Sequence, residues 1–131
     1  MMKFDATGLF VKDMAAMVTF YKDVMGMQGE WDGGVYAQLH SGEHRLMFYP
    51  RSEFEKMTNT AFAYPDGING TLELAFDVGK FSDVDQEYDR LIKAGAPIVF
   101  PPTEMPWGQR TAYVTDPDGN LIELSSFVKD E

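Results

Sequence analysis

Two stretches of this chain carry the same signals in the same order. That internal repeat limits the fold more than any other feature. In the first stretch, a strand candidate at residues 4–11 precedes Asp13, a good helix N-cap. Met14, Met17, Val18, Tyr21, Val24 and Met25 then recur at helical spacing until Gly26 stops the run. In the second, a strand candidate at residues 71–78 precedes a helix that Ser82 or Asp83 can cap. That helix carries Val84, Tyr88, Leu91 and Ile92, and Gly95 ends it. Val11 and Val78 are 67 positions apart, as are Tyr21 and Tyr88, while Gly26 and Gly95 are 69 apart. Three more strand candidates complete each stretch: 27–31, 35–40 and 45–49 in the first, and 98–100, 109–115 and 121–127 in the second. The organisation expected is one domain over 1–131, with module 1 at 1–50, a linker at 51–70 and module 2 at 71–131. The linker should hold a short helix. The prolines at 101, 102 and 106 predict a rigid loop, because they fix φ and lack donors.

Alternation along the strands sorts the residues into two faces. Leu72, Leu74, Phe76 and Val78 share one face, as do Ile122 and Leu124, Val35, Ala37 and Leu39, and Leu46 and Phe48. These aliphatic faces suit the two amphipathic helices. The opposite face is polar and aromatic, with Tyr36, Gln38, His40, Arg45, Met47, Tyr49, Glu73, Thr111, Tyr113 and Glu123. A face lined by tyrosines and a few polar groups is the usual form of a small-molecule site. The turn Asp116-Pro117-Asp118-Gly119-Asn120 sets up the last strand, in which Glu123 lies between Ile122 and Leu124. A carboxylate there is either exposed or used, since burial without a partner is costly.

Composition narrows the partners. The formal net charge of −10 repels nucleic acid and anionic membrane surfaces, and it favours a cationic ligand. No apolar run approaches the roughly 20 residues of a membrane span, and residues 1–30 lack the features of a signal peptide, so a cytoplasmic protein is expected. With no cysteine, disulfides, thiolate ligands and cysteine nucleophiles are excluded. Phosphate-binding glycine loops, the Gly-x-Ser-x-Gly elbow and His-Glu-x-x-His do not occur.

The doubled strand–helix–three-strand pattern, the run Phe20-Tyr21-Lys22-Asp23-Val24-Met25-Gly26 and the run from Asp116 to Leu124 resemble the vicinal oxygen chelate superfamily. That group holds glyoxalase I, bleomycin-resistance proteins, extradiol dioxygenases and fosfomycin-resistance enzymes. The resemblance covers nearly the whole chain. It implies an α+β fold of two βαβββ modules, forming an eight-stranded cup-shaped sheet with helices on the outer face. It also implies a homodimer, which the long linker would allow to exchange modules.

Enzymes of the group hold a divalent metal on the first, fourth, fifth and eighth strands. Matched by sequence, those positions are Ala6, Met47, Glu73 and Glu123. Ala6 cannot ligate, and a thioether does not suit a hard ion. Glu73 and Glu123 could hold at most a weakly bound divalent metal. His40 and His44, the only histidines, have no ligand spacing and read as surface or hydrogen-bonded residues. Dioxygenase chemistry would need imidazoles that the matching positions lack.

Glu73 and Glu123 have three further readings. They can share a proton and act as a base, bind a cation, or be neutralised by Arg45 or Arg110. Trp107 is a lid, a dimer contact or plain packing. The leading expectation is a small-molecule-binding protein like the bleomycin-resistance branch. Its ligand would be cationic or aromatic, bound through Tyr36, Gln38, Arg45, Met47, Tyr49, Trp107, Thr111 and Tyr113. The alternative is a glyoxalase I-like lyase or isomerase in which Glu73 or Glu123 moves a proton. A third possibility is an interaction module whose open face binds protein.

Overall fold

The computed structural model describes residues 1–131, which divide into two compact units, Met1–Tyr64 and Pro65–Glu131. Both are α+β. No helix is long and apolar enough to cross a membrane.

In the first unit, β1 (Thr7–Val11) leads through Asp13 into α1 (Met14–Thr19). Asp13 Oδ1 accepts the Ala16 amide at 3.1 Å, satisfying an otherwise orphan donor. The helix does not stay α-helical to Gly26. It widens into a π-helical turn at Phe20–Val24, and the amides of Met25 and Met27 reach back to the carbonyls of Phe20 and Tyr21 at 2.9 Å. β2 (Ala37–Ser41) and β3 (His44–Pro50) follow, then α2 (Arg51–Thr58). The sheet order is β1-β3-β2, with β1 parallel and β2 antiparallel to β3. Leu9, Val11, Leu39, Leu46 and Phe48 are buried from the sheet, and Met17, Val18, Phe20 and Tyr21 from the helix.

The eight strands expected from the sequence are corrected to seven, because residues 27–31 form only one bridge pair, Gln28 with His40. Gly29 lies at φ +140, and a Cβ there would stand 2.8 Å from the Gln38 carbonyl oxygen, so glycine alone fits this close against β2.

Part of the stretch expected as a linker is pinned down. α2 ends at Asn59 in a left-handed conformation. The Phe54 ring stacks on Phe10 at 4.1 Å and on Phe62 at 5.3 Å. Glu55 accepts the Phe62 amide and the Tyr64 hydroxyl at 3.0 and 2.9 Å, and both bonds hold its carboxyl below the usual range.

The second unit repeats the plan: β4 (Asn69–Asp77), α3 (Phe81–Lys93), β5 (Ile98–Glu104), β6 (Arg110–Thr115) and β7 (Asn120–Ser126), in the order β4-β7-β6-β5. As in the first unit, the first strand pairs in parallel with the last. α3 begins one residue before the expected caps. Asp83 is its third residue and accepts the Lys80 amide, and Asp130 accepts the amide and hydroxyl of Ser82 at 3.0 and 2.6 Å.

β5 continues through Pro101 and Pro102 to Glu104, where a rigid loop was expected. It is an edge strand whose register shifts twice, so the missing proline donors cost it little. At the β6–β7 turn, Asp116 is buried. Its Oδ1 accepts the amides of Asp118 and Asn120, and its Oδ2 accepts the Asn120 side-chain amide.

Candidate functional site

Most of the expected aliphatic faces point into the core: Ala37, Leu39, Leu46, Phe48, Ala112, Val114, Ile122 and Leu124 are all buried, but Val35 and Leu72 are exposed, because Val35 precedes β2 and Leu72 lies where the register of β4 on β7 shifts. The polar faces are left open, and each unit presents its own.

In the second unit, β6 and β7 set Tyr113 opposite Glu123. β4 sets Ala75 opposite Glu123, and Glu73 lies two residues earlier on the same face. Register therefore brings both carboxylates to the face that carries Tyr113. Thr111 is buried, and its hydroxyl donates to Glu123 Oε2 at 2.7 Å. Gln109 Nε2 donates to the same oxygen at 3.2 Å, and Gln109 Oε1 accepts from Trp107 Nε1 at 2.8 Å. A polar chain thus runs from Trp107 through Gln109 to Glu123 and on to Thr111. Trp107 itself is 63% exposed. Gln109 was expected only as the start of a strand. Extending the alternation two positions upstream of Thr111 would have placed it on the site face.

Desolvation, followed by the hydrogen bond to Glu73 and the charge of Glu123, holds the Tyr113 hydroxyl well above the usual phenol range. A group whose pKa is raised in the folded chain adds stability that is complete below its unfolded value, here pH 10.0, and is lost as pH rises beyond it. Tyr113→Phe is therefore expected to flatten the fall of melting temperature above pH 10.0 and to remove a late-ionising group from the tyrosinate absorbance titration. An unchanged profile in both measurements would refute this assignment.

Neither arginine neutralises the glutamates. Arg110 points to the helix side, where two 2.7 Å bonds join it to Asp85 and hold that carboxyl below its ordinary range. Arg45 forms an ion pair with Asp5 and donates to Gln38 Oε1 at 2.8 Å.

In the first unit, Tyr36 also donates to Gln38 Oε1, at 3.1 Å. Met47 stands opposite Gly8 and Tyr49 opposite Phe10. These residues border a groove of about 270 Å³, which Phe54 and Met57 of α2 also line. His40 is engaged through its backbone in the bridge to Gln28, and His44 is exposed.

The equivalence of the two units is visible in their registers. Met47 faces Gly8 in one as Glu123 faces Ala75 in the other.

Residues 3–124 match the model of the Glyoxalase/Bleomycin resistance protein/Dioxygenase superfamily. The chain belongs to this superfamily. The Bacillus subtilis protein YraH, itself uncharacterised, is 32% identical over 120 residues, covering 88% of this chain and 91% of its own. A crystal structure of a glyoxalase/bleomycin resistance protein/dioxygenase family enzyme from Burkholderia phytofirmans superposes with a TM-score of 0.82 at 26% identity, covering 95% of this chain and 98% of that one. The lactoylglutathione lyase of Agrobacterium tumefaciens shares the fold, with a TM-score of 0.70, 23% identity and coverage of 94% and 92%.

The superfamily's enzymes imply a divalent metal, but the donors present do not fit one. No group of three or more His, Asp or Glu side chains gathers in position to hold an ion. Of the four matching positions, Ala6 has no donor and Met47 offers a thioether in an apolar groove. The remaining two are carboxylates, of which Glu123 is already bonded to Thr111 and Gln109.

Proposed function

We propose that the chain is a small-molecule-binding protein resembling the bleomycin-resistance branch of its superfamily, taking a cationic aromatic ligand. One observation carries this reading: Glu73 and Glu123 share an open sheet face, and Glu123 is bonded to a hydroxyl and an amide rather than to arginine. Two carboxylates beside Tyr113 and an exposed Trp107 offer a cation both charge and π-faces. The net charge of −10 draws the same class of ligand. Sequestration asks only for binding, which suits a donor set unfit for a metal. The exposed Trp107, Phe127 and Val128 support a homodimer, and the same reading takes the protein to be cytoplasmic.

The test compares a planar aromatic cation with its uncharged isostere by thermal unfolding and titration. The cation is expected to bind at least tenfold more tightly, and Glu123→Gln to erase that margin, about 1.4 kcal/mol or more. Equal affinity for both compounds would refute the reading.

A second reading rests on Glu73 and Glu123 sharing one open sheet face, where either carboxylate is able to move a proton. It makes the chain a glyoxalase-like lyase or isomerase. A melting shift with one divalent metal that vanishes in Glu123→Gln, or carbonyl-substrate turnover, would favour it.

A further inference from the structure

An asparagine precedes a glycine once in this chain, at Asn69-Gly70; Asn59 precedes Thr60 and Asn120 precedes Leu121. The pair opens β4, the outer strand of its sheet. We propose that Asn69 is a self-modification site. There the folded chain closes a succinimide ring on the Gly70 nitrogen and ages into a form with a loosened β4.

Three observations favour ring closure at this residue. The electrophile is held in place, because Asn69 Oδ1 accepts the Thr71 amide at 3.0 Å. An asparagine bonded two residues ahead folds over the peptide between, so Cγ leans toward the Gly70 nitrogen, and the donated bond draws electrons from Cγ. The nucleophile is open. Gly70 is exposed, and apart from its chain neighbours no heavy atom lies within 4 Å of where its Cβ would stand. With no side chain, its backbone turns easily and its nitrogen is unshielded. Finally, the ladder is interrupted. The register steps from Asn69 opposite Asn120 to Glu73 opposite Leu121, so residues 70–72 have no opposite number on β7. The peptide can move there without breaking a paired stretch of strand.

The chemistry needs only water. The Gly70 nitrogen bonds to Asn69 Cγ as the Cγ–Nδ2 bond breaks, and the Gly70 amide proton leaves with Nδ2 as ammonia. Water then opens the ring at Cγ to give aspartate, or at the main-chain carbonyl to give isoaspartate. Nothing is oxidised or reduced.

The product conflicts with its surroundings. Asn120 Nδ2 donates to Asp116 Oδ2 at 2.9 Å, which turns Asn120 Oδ1 toward Asn69 Nδ2 at 3.0 Å. Loss of ammonia puts an oxygen where Nδ2 stood, so two acceptors face each other beside the buried Asp116 carboxylate. Turning the Asn120 amide over would sacrifice its bond to Asp116 instead. Isoaspartate also adds a carbon to the main chain where β4 begins.

The site does not depend on what the open face binds, so its test is separate. The full chain is kept in warm, mildly alkaline buffer and followed by intact mass and peptide mapping. A gain of one mass unit is expected, located at residue 69 and slower at residues 59 and 120. Gly70→Ala, which meets open space in an ordinary strand conformation, should slow that gain about tenfold. Should the variant fail to fold, the wild type still decides: hydroxylamine, which opens succinimides, is expected to cut the ageing folded chain between residues 69 and 70. Asn69→Asp, which carries the product's charge, should melt roughly 4 °C lower. No mass gain, a faster gain at residue 59 or 120, or equal rates in the wild type and a folded Gly70→Ala would overturn the site. An Asn69→Asp melting temperature equal to the wild type's would overturn the loosening of β4.

Discussion

Gly119→Ala is expected to destabilise the chain by about 3 kcal/mol, lowering the melting temperature by roughly 10 °C. Two penalties combine at this residue. Gly119 sits at φ +90, where a side chain is strained. The new Cβ would also run into the carbonyl oxygen of Gly67, which is backbone and can yield only by moving the loop. That loop is held in turn by the Asn69 amide on the Gly119 carbonyl at 2.7 Å and by the Asn69 side chain on Asn120 at 3.0 Å. Strain at one residue therefore spreads to the start of β4, the strand that carries Glu73. Differential scanning calorimetry checks the magnitude. A loss under about 1 kcal/mol would mean that the turn accommodates a side chain.

Phe48→Ala is expected to cost about 4 kcal/mol, the usual range for truncating a fully buried aromatic. Phe48 is 0% exposed in the middle of β3, on the face away from Met47. It packs against Tyr21 with ring centroids 5.6 Å apart, so the cavity would open directly beneath the π-helical turn. Denaturant unfolding measures the loss. Phe48→Leu, which keeps most of the volume, should recover more than half of it. A loss no greater than that of a surface substitution would contradict the packing described for the first unit.

What could be read from the sequence divides along physical lines. Alternation has a period of two and survives small errors at strand ends. It therefore placed Glu73, Thr111, Tyr113 and Glu123 on one face before any register was known. Convergence on Tyr113 depends on which residues stand opposite, and that is fixed only when β4 pairs with β7 and β6 pairs with β7. Residues 27–31 read as a strand because Trp31 favours one, while Gly29 makes a close approach to Gln38 that the local sequence does not display. Pro101 and Pro102 read as a loop because a proline carries no sign of whether its strand will lie at an edge. α2 was legible as a helix, but its role was not. Phe54 meets Phe10 across 44 positions, and no periodicity reports a contact at that range.

The doubling of the unit within one chain has a consequence for its chemistry. Two identical half-length chains would carry every residue choice twice. Two units written separately into one chain are free to differ: equivalent positions hold Met47 in one and Glu123 in the other, opposite Gly8 and Ala75 respectively. One unit presents a greasy face and the other an anionic one, so a single plan offers two unlike surfaces.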